Sequence, residues 1–312
     1  MAALEDATPG DRWEGERVAR WIRQSAGLER QLEPVSEALF AAAQLQPGER
    51  VLDVGCGTGP TTRRAARDVG AQGAVTGLDV ASPMLERAAE IRTEPGVATI
   101  EWVVADAADW DPGKSRFDVV LSRFGVMFFD DPPAAFATLA QATRPGGRLH
   151  VAVWARRDQS ELFELPLQVA LAAVGDEFGA DVPPVDGGPF SMGDAAEVLG
   201  LLGGAGWSEV VWDEQQVALL MGGGLSPAEA AVATLDFGPT RLVATGLDDE
   251  ARDRMFAAIT EAYQEHLDPD GHVTLDGTII IVSATRPDTT ALADVASWGP
   301  AEDWSDWNEQ TP

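Results

Sequence analysis

Hydrophobic positions along the chain recur first at helical and then at strand spacing. Within residues 1–48, Trp13, Val18, Trp21 and Ile22, followed by Leu32, Val35, Leu39 and Phe40, keep a 3.6-residue period and predict two helices. ERVLDVG (49–55) is a short apolar, β-branched run stopped by glycines, as in a strand buried on both faces. The pattern then alternates. A helix over about 59–69 leads to the strand AVTGLDV (74–80). A second helix has Ser82 as N-cap and Pro83 in its first position. The strands ATIEWVVAD (98–106) and FDVVLSRF (117–124) follow. Asp131, Pro132 and Pro133 open the helix AAFATLAQAT, and RPGG (144–147) turns into the strand RLHVAVWA (148–155). Strand–helix alternation predicts a parallel sheet with right-handed crossovers.

Beyond 156 the pattern loosens. A helix within 158–190 precedes the Pro/Gly-rich VPPVDGGPF, and GDAAEVLGLLGGAGW reads as another helix. SEVVWDEQQVALL (208–220) reads as a strand, Gly222 to Gly224 as a break, and 226–266 as helical with a loop at 238–240. HVTLDGTIIIVSATRP (272–287) reads as the last strand. The expected organisation is an N-terminal helical lid (1–45), a core (46–155), lid insertions with remaining strands (156–287) and an acidic tail (288–312). The tail's Pro, Asp, Glu and Ser favour disorder, and packing of Trp298, Trp304 and Trp307 on a second copy in a homodimer is the other expectation.

Composition narrows the function classes. The net charge is −29, and Lys114 is the one lysine. Such a surface repels phosphate backbones and anionic membranes, so the expected partner is a small molecule, with neither nucleic acid nor membrane. No run approaches the length of a membrane helix, the first residues lack a signal pattern, and the expected location is the cytoplasm. Cys56 is the single cysteine, which excludes an intrachain disulfide and reads as a small buried residue.

The candidate chemistry starts at Asp53-Val54-Gly55-Cys56-Gly57-Thr58-Gly59, directly after the first predicted strand. Glycines there let a ligand approach the backbone, since no Cβ obstructs it. Asp79, 26 residues on, ends the next strand, where a carboxylate can accept from a ribose diol. A dinucleotide loop would place glycine at position 60, which holds Pro60.

The runs VLDVGCGTG, GLDVASPML, VVADAADW, FDVVLSRFGVMFFDDP and RPGGRLHVAVW resemble the class I S-adenosylmethionine (SAM)-dependent methyltransferases. More narrowly, they resemble the bacterial subgroup related to ubiquinone/menaquinone C-methyltransferases and natural-product methyltransferases. The resemblance implies an α/β, Rossmann-like seven-stranded sheet whose last strand inserts antiparallel, with SAM as cofactor and S-adenosylhomocysteine as product. By the same resemblance, Gly55, Gly57 and Gly59 line the methionine and ribose, and Asp53 orders the loop and the amino group. Asp79 takes the ribose diol, Val80 and Met84 pack on the adenine, and Asp106 with Ala107 meets the adenine amino group. Ser122, Arg123 and Phe124 face the methionine and the acceptor.

A general base is sought among His266, His272 and Tyr263, near the last strand; His150 reads as a packed strand residue. No metal is expected, since Asp131 is better explained as a helix N-cap than, with Asp130, as a cation ligand. Trp13, Trp21, Phe163, Phe178, Phe190 and Phe237 would line an apolar lid. The expected reaction is methyl transfer to a small, largely apolar, natural-product-like acceptor, at oxygen first. The alternatives are carbon or nitrogen of a small molecule or peptide, a cyclisation-type reaction on the same fold, or a non-catalytic SAM-binding subunit.

Overall fold

The computed structural model describes residues 13–114, 116–175, 185–235, 238–245 and 247–288. Phe178, Phe237 and the tail tryptophans lie outside the described residues. The chain opens with helices α1 (Gly15–Gln31) and α2 (Glu33–Ala43), then runs β1 (Arg50–Val54), α3 (Pro60–Val69), β2 (Ala74–Asp79), α4 (Ser82–Glu90), β3 (Thr99–Val104) and β4 (Phe117–Arg123). It continues with α5 (Pro132–Ala142), β5 (Thr143–Trp154), α6 (Glu161–Val174), α7 (Ala195–Gly204), β6 (Ser208–Leu220), α8 (Pro227–Ala233), α9 (Thr240–Ala244), α10 (Asp249–Tyr263) and β7 (Thr274–Thr285).

Seven strands form one sheet in the order β3-β2-β1-β4-β5-β7-β6. β1 to β5 pair in parallel, and β7 enters antiparallel between β5 and β6. Burial explains which strand lies where. Val51 to Val54 of β1, Val151 to Val153 of β5 and Ile279 to Val282 of β7 are buried, as strands covered on both faces must be. β6 alternates exposed and part-buried residues and sits at an edge. α3 turns Thr61, Thr62, Ala65, Ala66 and Val69 inward and its arginines outward.

Two boundaries differ from the sequence reading. Ala81, not Ser82, caps α4, and its N–H donates to Asp79 Oδ1 (2.9 Å). β5 begins at Thr143 because Thr143 pairs with Phe117 and the register then shifts before Val119 pairs with Arg148, so the RPGG segment is a bulged strand start. Asp131 does cap α5, its Oδ1 accepting from the Ala134 N–H (3.0 Å).

The two N-terminal helices do different work. α2 buries Val35, Leu39, Phe40 and Ala43 in the main core. α1 instead packs Val18 on Ala81 and Met84, with Trp13, Trp21 and Ile22 around them. Its far end docks on the glycine turn after β6. A Cβ at Gly27 would come within 2.5 Å of the Gly222 carbonyl oxygen. Gln31 Oε1 accepts from the Gly222 N–H (2.7 Å), and Arg30 Nε donates to the Gly223 oxygen (3.0 Å). The break at Gly222–Gly224 is therefore a docking seat for α1.

Candidate functional site

The sheet reverses its order between β1 and β4, the place where open α/β sheets bind ligands at their carboxyl ends. The loops after these strands meet there. A Cβ on Gly55 would lie 2.6 Å from the Gly125 Cα. Ser122 Oγ donates to the Val54 oxygen (2.7 Å) and accepts from the Gly125 N–H (3.2 Å). Ser122 thus ties the two loops together from a fully buried position, behind the cavity wall.

A cavity of about 810 Å³ opens at this point. Gly55, Cys56, Gly57, Asp79, Val80, Met84, Asp106 and Ala107 line one end. Gly57 has φ +56° and open space where a Cβ would stand, and its N–H donates to Asp79 Oδ2 (2.8 Å). Each Asp79 oxygen thus holds a backbone donor, and the carboxylate lines the cavity. Burial pushes the Asp79 carboxyl above its usual range, against the lowering pull of the Ala81 and Gly57 N–H groups. Asp106 Oδ1 accepts from the Ala108 N–H (2.8 Å).

Asp53 and Gly59 stand behind this wall. Asp53 is fully buried, and its Oδ2 accepts from the hydroxyls of Thr61 (2.7 Å) and Thr62 (2.6 Å), fastening the glycine loop to the start of α3. Burial pushes its carboxyl up to about 6, while the two threonine hydroxyls pull it down. Its Oδ1 has no partner. Gly59, at φ +76°, leaves room for Trp102, whose ring would lie 2.3 Å from a Cβ there. Gly59 is a packing glycine, not a lining one. Cys56 lines the cavity as a buried thiol, pushed well above its ordinary range chiefly by burial.

The other end is aromatic. Phe124 stacks on Trp154 (4.2 Å), and Phe163 meets Trp154 edge-on (5.1 Å) and Phe190 (5.0 Å). Trp13 meets Phe128 at 5.3 Å and Trp21 at 6.0 Å, and these two tryptophans pack around Met84 on the cradle side. All seven line the cavity. Arg123 lines it too, but its guanidinium is held by Glu29 of α1 (2.7 Å) and by Ser36 of α2 (2.6 Å).

The expected bases lie elsewhere. Tyr263 is fully buried, shares a 2.8 Å hydrogen bond with Thr234, and burial pushes its phenol up to about 12. His266 faces Glu161 (3.5 Å), and His272 faces Asp268 (3.6 Å). None of the three lines the cavity. Sequence order puts them just before the last strand, but α10 packs against α8 and α6, and His266 turns to α6. His150 is buried against Ser283 (2.8 Å), and burial lowers its pKa to about 4. Sequence reasoning missed Trp154, Phe128, Phe129, Arg17, Arg20 and Arg241, all of which line the cavity. Nothing local marks them, because only packing turns them inward. Among the described residues no group of three or more His, Cys, Asp or Glu could hold a metal, and no helix is long and apolar enough to cross a membrane.

Known proteins agree with this geometry. Residues 51–147 match the family model described as a methyltransferase domain. Nocamycin O-methyltransferase of Saccharothrix syringae is 38% identical over 116 residues, 37% of this chain and 41% of that protein. The ubiquinone/menaquinone biosynthesis C-methyltransferase UbiE of Burkholderia vietnamiensis is 30% identical over 159 residues, 50% of this chain and 64% of that protein. The chain thus spans less than two thirds of either curated relative. A Haemonchus contortus phosphoethanolamine N-methyltransferase 2 structure, 15% identical, aligns with a TM-score of 0.52 over 91% of this chain and 61% of that one, a likeness of fold. With this sheet order, a glycine loop open at Gly57 and a part-buried Asp79 beside it, residues 51–147 form a methyltransferase domain, and SAM is the cofactor its cradle fits.

Proposed function

We propose that this chain transfers the methyl group of SAM to a small, largely apolar, natural-product-like acceptor, at oxygen. The observation that supports this most is the cavity's mixed lining, with a glycine-and-carboxylate cradle on one side and the packed rings of Phe124, Trp154, Phe163 and Phe190 on another. Bound SAM supplies a methyl group already activated on a sulfonium. The chain's own part is binding, alignment and exclusion of water, which can lower a barrier by about 7–11 kcal/mol.

Asp79 would take the ribose hydroxyls on its carboxylate. Met84 and Val80 would cover one face of the adenine, and Asp106 would meet its amino group. The rings around Phe124 and Trp154 would hold a flat apolar acceptor and keep water out. α1 would act as the lid, since it forms one wall yet joins the body through Glu29–Arg123 and the glycine turn. The resemblance to nocamycin O-methyltransferase supports oxygen as the acceptor atom.

Calorimetric titration of SAM and S-adenosylhomocysteine into wild type and Asp79→Ala tests the cofactor half. Micromolar binding that weakens at least 100-fold in the variant is expected, since two backbone donors and the ribose lose a part-buried anion worth about 1.5–3 kcal/mol per hydrogen bond. Equal binding by both proteins sinks the assignment. Formation of S-adenosylhomocysteine in the presence of acceptor then separates methyl transfer from scaffold use of SAM.

A further inference from the structure

The amino ends of the parallel strands form a second charged region, at the edge of the sheet opposite the cavity. Four arginines meet there. Arg50 opens β1, Arg116 precedes β4, Arg144 lies in the bulged start of β5, and Arg286 follows the antiparallel β7. Strand pairing forces the meeting, because β1, β4, β5 and β7 are successive neighbours in the sheet. Arg50 Nε donates to the Arg116 oxygen (3.2 Å), and the Arg286 guanidinium donates to the Thr143 and Gln141 oxygens. Asp118 is the carboxylate among them, accepting from the Arg50 N–H (2.8 Å) and from Arg144 Nε (2.5 Å).

These guanidinium charges outnumber the carboxylates that contact them. Burial lowers the Arg286 pKa, and the neighbouring Arg116 charge lowers it further. Carbonyl acceptors satisfy N–H donors but leave the charge in place. Glu49, at the same edge, is taken by Arg148 (3.0 Å). Arg50, Arg116 and Arg144 are exposed, and so is Lys114, the one lysine of the chain, two residues before Arg116. On a protein of net charge −29 this edge is a local reversal of sign. None of the four arginines lines the cavity.

The chain leaves the described fold from this edge, at Asp288. Residues 289–312 carry five carboxylates, three tryptophans and no Lys, Arg or His. Within 302–309, Glu302, Asp303, Asp306 and Glu309 alternate with Trp304 and Trp307. Arginine takes carboxylates in its fork and stacks on aromatic faces, so this composition matches the cluster on both counts. The 16 residues from Arg286 to Glu302 span at most roughly 55 Å. Arg50, the farthest member, lies three strands from β7, about 15 Å away, well within that reach. Attachment to the same chain supplies an effective concentration of millimolar order, so weak intrinsic affinity suffices.

We propose that residues 302–309 dock on the cluster of Arg50, Arg116, Arg144 and Arg286 of their own chain, closing the amino edge of the sheet with an acidic segment. The proposal does not depend on the methyl-transfer reading, and each can fail without the other.

The single lysine makes the test direct. Zero-length carbodiimide coupling of the full chain joins Lys114 to whichever carboxylates lie beside it. At low ionic strength, mass spectrometry after digestion should find Lys114 joined to Glu302, Asp303, Asp306 or Glu309. Salt at about 0.5 M should cut that product at least fivefold by screening. Coupling to Asp111, which the Gly113 N–H fixes in the same loop (2.7 Å), should be insensitive to salt and serves as the control. Arg116→Gln with Arg144→Gln should cut the tail product as salt does; should that variant not fold, the salt response of wild type still decides. A mixture of heavy-isotope and unlabelled chains should give same-isotope pairs alone. Three results overturn the proposal: no coupling of Lys114 to the tail, a tail product indifferent to salt or to loss of both arginines, or mixed-isotope pairs at the frequency of random exchange, which would put the tail on a second copy.

Discussion

The cradle end of the cavity draws on residues 54–107, neighbours along the chain, whereas the aromatic end gathers Phe124 from beyond β4, Trp154 from β5, and Phe163 and Phe190 from the segment after it. The cradle is mostly backbone: a left-handed glycine, N–H groups and two carboxylates that the strands deliver at fixed places. The wall is made of side chains whose positions depend on packing between distant segments. A backbone cradle tolerates little variation and suits a constant ligand. A side-chain wall can be recut one ring at a time, and so suits an acceptor that differs from one relative to the next.

Substitutions can break or sharpen this contrast. Trp154 is 8% exposed, stacks on Phe124 and meets Phe163 edge-on, so Trp154→Ala should cost about 3–5 kcal/mol of stability in denaturant unfolding. SAM affinity, measured below the unfolding transition, should stay within about threefold. A loss of cofactor binding above tenfold would mean the two ends are one coupled unit.

The two glycines give a finer contrast inside the cradle. Gly59→Ala forces a Cβ into the Trp102 ring at positive φ and should cost about 2–4 kcal/mol of stability. Gly57→Ala meets open space and should cost only about 1 kcal/mol of stability, while weakening SAM at least tenfold by filling the cradle. Equal stability loss in both would erase the distinction between a packing and a ligand glycine.

His150 lies outside both ends and serves as a control. Its folded pKa is depressed to about 4 from 6.5, so the folded state binds fewer protons than the unfolded state between those values. Its contribution is present above pH 6.5 and lost as pH falls toward 4, by about 2–3 kcal/mol. The stability difference between wild type and His150→Gln, followed by thermal unfolding across that window, should shrink with acid, with cofactor binding unchanged at pH 7. A difference that grows with acid would reverse the sign assigned to burial.

Arg123→Met should have the smallest effect, about 1–2 kcal/mol, because its partner Glu29 is partly exposed. Limited proteolysis should cut first within α1 in the variant and not in wild type. An unchanged cleavage pattern would show that the glycine turn alone secures α1.

Much of this was legible in the chain. VLDVGCGTG and GLDVASPML announced two strands, the glycine turn and the carboxylate at the second strand end, because each depends on neighbours within a few residues. Strand–helix alternation announced the parallel order, and the resemblance supplied the antiparallel β7. The roles of Asp53, Gly59 and Ser122 were not legible. All three sit in the expected motifs, yet burial turns them to Thr61 and Thr62, to Trp102, and to the Val54 carbonyl. The bases proposed at Tyr263, His266 and His272 followed from chemistry and proximity in sequence, and helix packing carries all three off the wall.

The local signals, periodicity, turn glycines and strand-end acids, were enough to determine the sheet and the place of the cofactor, since these follow from backbone geometry over short separations. Which aromatic rings meet and why Gly222–Gly224 interrupt the chain were decided only by tertiary structure. Those features arise where separate segments, up to 191 residues apart at the glycine turn, bury surface against one another, and no local pattern encodes such a meeting.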